Sequence, residues 1–305
     1  MELNHSPTVA VCVLAHNEER SIEQTLLSVL NTTRKDFNIT VYSNGCTDRT
    51  CSIVNQLSLK NSRIKNVEIS TPSKVNAWNR AFLDCDEDIL VFCDGDIVPS
   101  VNAINHLVDE LMADPKNILV STRLFPLMEN VSLEKKLIGF IQLPLKHEFL
   151  SGGMYAFKRA QLLERFREEK LEGIPLGITA EDYFLEHLVA NNGFIISKVK
   201  NYYEPPSFHD YIRYLARVKW QNLQLLSIFG EHPQGKISQW QKLKNKFLNQ
   251  HEIFYLLISI PAVISRAIFK VVFAKRIDRV FKELGPITKD GENILRVKTR
   301  ANSTK

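Results

Sequence analysis

Between Thr8 and Phe125 short apolar runs alternate with amphipathic segments, and this rhythm limits the fold more than any other feature. Val9–Leu14, Asn38–Asn44, Asn66–Ser70, Ile89–Cys93 and Asn117–Phe125 have strand length and are rich in β-branched residues. Between them Ile22, Leu26, Val29 and Leu30, then Ile53, Val54 and Leu57, then Ser73–Asp84 and Ser100–Ala113, carry apolar residues at helical spacing. Strand and helix in strict alternation predict an α/β fold: a mostly parallel, doubly wound, Rossmann-like sheet flanked by helices. Such sheets bind ligands beyond the carboxyl ends of their strands. Three polar stretches, Ala15-His16-Asn17-Glu18-Glu19, Asn44-Gly45-Cys46-Thr47-Asp48 and Asp94-Gly95-Asp96, each fall at such an end, which argues for one shared site.

After residue 125 the pattern changes. Ser151–Arg159 is a Gly-Gly turn leading into a strand-like segment, and Gly177–Gly193 carries a helix that starts at Thr179–Ala180 and stops at Asn192-Gly193. A loop with two prolines, Glu204–Phe208, precedes a long amphipathic helix. Ile253–Ser265 is the most apolar stretch but has about thirteen residues where a spanning helix needs about 20. From Arg266 to Lys282 basic and apolar residues interleave as in an amphipathic helix, which lies in a bilayer interface or packs on its own domain. Residues 1–230 are therefore read as one domain and 231–305 as a basic, amphipathic helical extension.

The charge supports that division. Residues 211–305 hold 18 Lys and Arg against 6 Asp and Glu, and the first 210 residues hold 21 against 28. A basic tail can meet an anionic membrane surface, a phosphorylated ligand or nucleic acid. Its cations alternate with long apolar side chains rather than stacking platforms, so nucleic acid is not an expected partner. Five cysteines without a CxxC pair indicate a reduced chain without disulfides or zinc, and the short polar start, Met1–Thr8, lacks leader-peptide features. A cytoplasmic location is expected, with possible peripheral contact with the inner face of the membrane through residues 253–282.

The chemistry sits at the strand ends. Two carboxylates one residue apart, Asp94 and Asp96, can converge on a hard divalent cation, which takes one or two carboxylates and completes its shell with water and phosphate oxygens. Gly95 between them removes a side chain where a diphosphate would approach. The same tripeptide can also be a solvated turn before the helix near Ser100.

In order and spacing, AHNEE, NGCTDRT, KVNAWNRA, DGD and AED resemble glycosyltransferase family 2, the inverting, nucleotide-sugar-dependent enzymes of the GT-A fold. The resemblance covers about Thr8–Trp220. It implies Mn²⁺ or Mg²⁺ as cofactor, held by Asp96 and Asp94, with His209 as a third ligand. It implies that Ala15, His16, Glu18, Asn44, Asp48, Lys74, Asp94 and Arg217 contact the nucleotide sugar. Ser43-Asn44 stands where many members carry Asp-Asp. The upstream Gly152-Gly153 turn is implied to face the acceptor. Asp182 is the implied general base, with Glu181 beside it; an inverting transfer needs a base for the acceptor hydroxyl proton. Other roles compete at single positions: Glu18 and the Glu181-Asp182 pair suit the first turn of a helix, and Asp48 suits a cap.

The activity so implied is metal-dependent transfer of a hexosyl group from a nucleoside-diphosphate sugar, UDP-linked, to a saccharide or lipid-linked acceptor in cell-envelope polysaccharide or glycolipid synthesis. A non-catalytic, membrane-docked nucleotide-sugar-binding protein and a retaining GT-A enzyme are the alternatives. A nucleotidyltransferase is disfavoured, because LAHNEER has no glycine for a phosphate loop after the first strand.

Overall fold

A computed structural model describes residues 6–143, 150–189, 193–229, 261–262 and 264–284. These fall into two compact units. The first comprises residues up to Phe125 with His147–Leu176 and Ala180–Glu204, and the second comprises Pro126–Lys146, Gly177–Thr179 and Pro205 onward. Residues 126–146 and 205–230, expected within the 1–230 domain, are grouped with the second unit.

The first unit is built on an eight-stranded sheet in the order β3-β2-β1-β4-β7-β6-β8-β5. Its parallel half consists of β1 (Val9–Ala15), β2 (Phe37–Asn44), β3 (Ile64–Ile69) and β4 (Ile89–Asp94). Every residue of β1 is buried, as expected of a strand covered on both faces. Beyond β4 the direction reverses: β7 (Met154–Lys158) runs antiparallel to β4 and to β6 (Leu119–Pro126), and β8 (Phe194–Tyr203) pairs antiparallel with the two-residue β5 (Ile97–Val98). The alternating α/β architecture expected from the sequence is present, with its parallel connections confined to the first four long strands.

The chain leaves β1 toward β2 and β3 on one side, then returns to place β4 on the other. The β1–β4 junction is thus a topological switch point, the place where sheets of this kind bind ligands. The helices α1 (Ile22–Leu30), α2 (Thr50–Lys60), α3 (Lys74–Asp84) and α4 (Ala103–Ala113) cover the strands through narrow apolar faces; Ile22, Leu26 and Val29 of α1 are fully buried. The α3 helix begins where the Ser73 hydroxyl accepts the Asn76 N–H. Its Trp78 is fully buried among Phe82, Phe92, Phe157 and Phe166, and the indole N–H donates to Tyr155 Oη at 2.9 Å. That bond removes the cost of burying a polar ring atom and fixes α3 against the sheet. The unit is completed by α6 (Arg159–Glu168) and α7 (Glu181–Leu188).

Among the described residues the second unit is helical. It contains α5 (Leu133–Gln142), α8 (Phe208–Phe229), a helical run over 264–272 and α9 (Ala274–Leu284). Its core joins Ile138, Tyr211, Ile212, Leu215, Ala216, Phe269 and Ile277. Among the described residues no helix is long and apolar enough to cross a membrane. Most of the apolar stretch 253–265 lies outside the described residues.

Candidate active site

The register of the parallel strands brings the sequence motifs to one level. Leu14 lies opposite Asp94, and Ala15 opposite Ser43. The Gly95 N–H donates to Leu14 O at 2.9 Å, and the Thr25 hydroxyl donates to Gly95 O at 2.9 Å. A Cβ on Gly95 would come within 3.2 Å of both Ala15 Cβ and Glu18 Cγ. The space left by this glycine is therefore filled by the loop after β1, where a diphosphate was expected. Gly95 serves the close approach of two loops.

Five carboxylates gather around one ammonium group. Lys74 Nζ, at the first turn of α3, lies 2.9 Å from each oxygen of Asp94 and 2.6 Å from Glu181 Oε1. Glu181 is only 3% exposed. Asp94 is pushed up to about 8, mainly by burial, with Asp96 and Glu181 adding repulsion that Lys74 offsets only in part. Asp182 is pushed up to about 7 by burial and by Glu181. Glu18 is also pushed up to about 7, by burial and by Asp96, although the Ser21 hydroxyl donates to its Oε2 at 2.8 Å. Asp96 is exposed at the turn. The cluster carries more negative charge than Lys74 balances.

The glycine turn before β7 adjoins this cluster. A Cβ on Gly152 would lie 2.9 Å from Asp182 Oδ2, so the glycine lets the turn and that carboxylate approach closely. Gly153 has a different role: its carbonyl accepts the Asp94 N–H at 2.8 Å, and a Cβ would collide with Leu124 and Ile97. It is a packing glycine behind the DGD turn. The two acids of AED also separate. Glu181 is committed to Lys74, whereas Asp182 has a proton affinity near neutrality and is the better placed to accept a proton.

The residues expected to meet the nucleoside form a self-bonded loop pair. His16 Nδ1 donates to Asn44 O at 2.6 Å, and Asn44 Nδ2 donates to Ala15 O at 2.8 Å. The Ser43 hydroxyl donates to Asn66 Oδ1 at 2.8 Å. Asp48 accepts from the Thr50 N–H and hydroxyl at 2.9 and 2.6 Å and from the Glu19 N–H at 3.0 Å. Burial works against its charge, but these bonds outweigh it and hold the carboxyl below its usual range. Gly45, at φ 58°, takes a left-handed turn in which a Cβ would sit 2.6 Å from Pro72. The Asp48 and Asn44 side chains thus hold the loops in place, and His16 is exposed above them.

His209 and Arg217 belong to the second unit. Both are exposed; His209 Nδ1 lies 3.5 Å from Asp210 Oδ1, and the Arg217 guanidinium lies 5.8 Å from the Tyr214 ring centroid. Among the described residues no three or more His, Cys, Asp or Glu side chains form a group that could hold a metal ion.

Three positioning contacts appear only in the structure. Asn79 of α3 grips the backbone of Ile174 with both ends of its amide, at 2.7 and 2.9 Å. Asn201 of β8, fully buried, accepts the Ser100 N–H at 2.9 Å just past the DGD turn. In the second unit Gln221 and Gln224 of α8 hydrogen-bond Thr179, the residue before Ala180. Asn79 lies in the quoted KVNAWNRA motif, so its position was visible and its contact was not.

Residues 10–166 match the family described as Glycosyl transferase family 2, which is more than half of the chain. The chain belongs to glycosyl transferase family 2. It is 28% identical over 286 residues to the probable glycosyltransferase YdaM of Bacillus subtilis, covering 87% of this chain and 66% of that relative. It is 27% identical over 124 residues to the glycosyltransferase AglD of Haloferax volcanii, covering 39% of this chain and 20% of that one. The chain thus spans about two thirds of the first relative's length and about a fifth of the second's. Among solved structures it resembles the mannosyltransferase PcManGT of Pyrobaculum calidifontis in complex with GDP-Man and Mn²⁺. The TM-score there is 0.57 at 20% identity, with 97% of this chain and 85% of that one covered. Residues 1–349 of S. aureus TarS in complex with UDP-GlcNAc give a TM-score of 0.52 at 16% identity, with 98% and 92% covered. These likenesses place the family-2 chain in the GT-A fold expected from its sequence.

Proposed function

We propose that this chain transfers a hexosyl group from a UDP-linked sugar to an acceptor hydroxyl with inversion, in cell-envelope polysaccharide or glycolipid assembly. The observation that carries this reading is the under-neutralised acid cluster at the β1–β4 switch point, with Asp182 tuned to about 7 beside it. The solved neighbours named with GDP-Man and Mn²⁺ or with UDP-GlcNAc support a nucleotide-sugar donor.

Asp94 and Asp96 offer the carboxylate oxygens that a hard divalent cation takes. Asp96 is exposed, Asp94 is half-buried beside it, and Asp96 raises the cost of ionising Asp94 and Glu18. Asp96, assisted by Asp94, would hold Mn²⁺ or Mg²⁺, with diphosphate oxygens and water filling the shell. Such an ion supplies charge neutralisation for the departing diphosphate. Lys74 holds Asp94 and Glu181 in place through its ion pairs. Asp182 takes the acceptor proton during attack on the anomeric carbon, and its raised proton affinity suits that task near neutral pH. Gly152 lies against Asp182 Oδ2, on the side where the acceptor would bind. In the same reading the basic residues within 253–282 bring the chain to an anionic membrane surface that carries lipid-linked acceptors.

The test is a donor screen by thermal shift, with UDP- and GDP-sugars, with and without Mn²⁺. Donor hydrolysis by the wild type and Asp96→Ala, and NMR of the product anomer, complete it. A metal-dependent shift with a UDP-sugar, turnover lost in Asp96→Ala and an inverted product are expected. Equal inertness of both proteins across the panel overturns the enzymatic reading.

A further inference from the structure

The sequence offered two fates for the basic amphipathic stretch after Pro261, a bilayer interface or internal packing. The structure gives it two apolar faces. Over 264–272 the inward face carries Phe269, whose ring packs on Phe208, Tyr211 and Phe273 at centroid distances of 5.5, 5.2 and 4.6 Å. Arg266 is turned the same way, donating to Ile141 O and Leu143 O at 2.8 Å each. In α9 Ile277 is buried, and Phe281 stacks on Trp220 at 4.7 Å. Internal packing is therefore already satisfied within the second unit.

A second apolar set remains outside it. Ile264, Ile268, Val271 and Val272 are 53%, 57%, 77% and 64% exposed. Their spacing, i, i+4, i+7 and i+8, places them on one stripe of a helix, turned away from Phe269. Four branched aliphatic side chains in one exposed stripe are unusual on a surface that meets only water. Lys270 is exposed on the same helical run, and Lys275, Arg279 and Lys282 are exposed on α9. From 264 to 282 there are six Lys and Arg and one acid, Asp278, whose Oδ1 is paired with Lys219 at 2.7 Å.

We propose that Ile264, Ile268, Val271 and Val272 insert into the surface of a bilayer containing anionic lipid, while Lys270, Lys275, Arg279 and Lys282 face its head groups. Apolar side chains gain by leaving water for the acyl boundary, and the cations add attraction to a negatively charged leaflet. An uncharged protein groove would leave those cations without counter-charge. This deepens the membrane part of the function proposed above and is independent of the transfer chemistry.

The full chain is floated with vesicles of phosphatidylcholine alone and of equal parts phosphatidylcholine and phosphatidylglycerol. Flotation with the anionic vesicles only is expected. The variant I268S/V271S should lose about tenfold or more in vesicle affinity, the size expected for two partly inserted aliphatic side chains. Its circular dichroism and its metal-dependent thermal shift with donor should match the wild type, because both residues are exposed and neither belongs to the catalytic cluster. K275E/R279E should abolish the preference for anionic vesicles. Flotation that survives I268S/V271S, or that is equal on neutral vesicles, overturns the proposal. So does a wild type that never floats, or one that sediments as a dimer which I268S/V271S dissociates, since the stripe then belongs to a second copy. Loss of vesicle binding with the donor shift intact counts only for the membrane face; loss of the donor shift in Asp96→Ala counts only for the chemistry.

Discussion

The loops after β1 and β2 and the acid cluster around Lys74 lie within one unit, yet they satisfy their polar groups in opposite ways. In the loops each side chain closes a bond to a neighbouring loop: His16 to Asn44, Asn44 to Ala15, Asp48 to Thr50 and Glu19. Asp48 is accordingly held below its usual range. In the cluster one ammonium serves Asp94 and Glu181, while Asp182 and Glu18 retain protons to about 7. The loops are a finished scaffold. The cluster has charge in excess and needs a proton, a cation or a ligand to complete it, as expected where chemistry is done.

The largest expected difference comes from removing the proton acceptor. Asp182→Asn should lower turnover by about 10²–10⁴-fold, the usual contribution of a general base. Donor affinity, measured by isothermal titration with Mn²⁺ present, should change little. In the wild type, activity should rise with pH as Asp182 loses its proton near 7. A variant that keeps turnover would move the base elsewhere in the cluster and remove the distinction between Asp182 and Glu181.

Next in size is Lys74→Met. Glu181 is buried and would lose its cation, an event that costs about 3–5 kcal/mol at a fully buried pair. The Lys74 side chain is 38% exposed, so solvent screening reduces the expected loss to about 2–3 kcal/mol by urea denaturation. Adding Glu181→Gln in the same chain should restore part of that loss, since the stranded charge is gone. If the double variant is no better than the single one, Lys74 acts through packing rather than through charge.

The third test uses pH alone. Asp94, Asp182 and Glu18 bind protons more tightly in the folded chain, at about 8, 7 and 7, than their ordinary values of 3.8, 3.8 and 4.5. Between those limits the folded state holds protons that the unfolded chain has released. Their contribution is therefore complete below about pH 4 and is lost as pH rises through about 8. Metal-free protein should melt at steadily lower temperature from pH 5 to 8. Mn²⁺ should raise the melting point more at pH 8 than at pH 5, because metal and protons compete for the same carboxylates. A flat profile in metal-free buffer would mean the cluster is already neutralised.

Much of this was legible in the residues. The parallel strands announced themselves because each is a β-branched run between amphipathic segments, and β1 is buried on both faces as its composition requires. The antiparallel half was harder. The strand β8, Phe194–Tyr203, carries Lys198, Lys200 and Asn201 among its apolar residues and did not read as a strand. Its buried Asn201 is paired with partners about eighty and a hundred residues away, Thr122 and Ser100, which no local pattern reveals. The acids were found from their order along the chain. Their division of labour was not, because it depends on which carboxylate Lys74 reaches. Gly95 was assigned to a ligand for the same reason: only the fold shows that Ala15 and Glu18 fill its space.

The smallest expected effect returns to the loops. Asp48→Ala removes three hydrogen-bond acceptances at once, but the Asp48 carboxyl is itself partly exposed, so water can enter the place it leaves. The loss should be about 1 kcal/mol, the usual value of a helix-end cap. Because the Asp48 carboxyl is held low in the folded chain, its contribution is present above the ordinary value of 3.8 and is lost as pH falls below it. The variant's deficit by urea denaturation should therefore be constant from pH 5 to 8, across the window in which the acid cluster makes stability fall. A deficit that instead changes through pH 7 would tie Asp48 to Glu18, which it repels. The scaffold and the cluster would then be one electrostatic system, and the contrast between them would no longer hold.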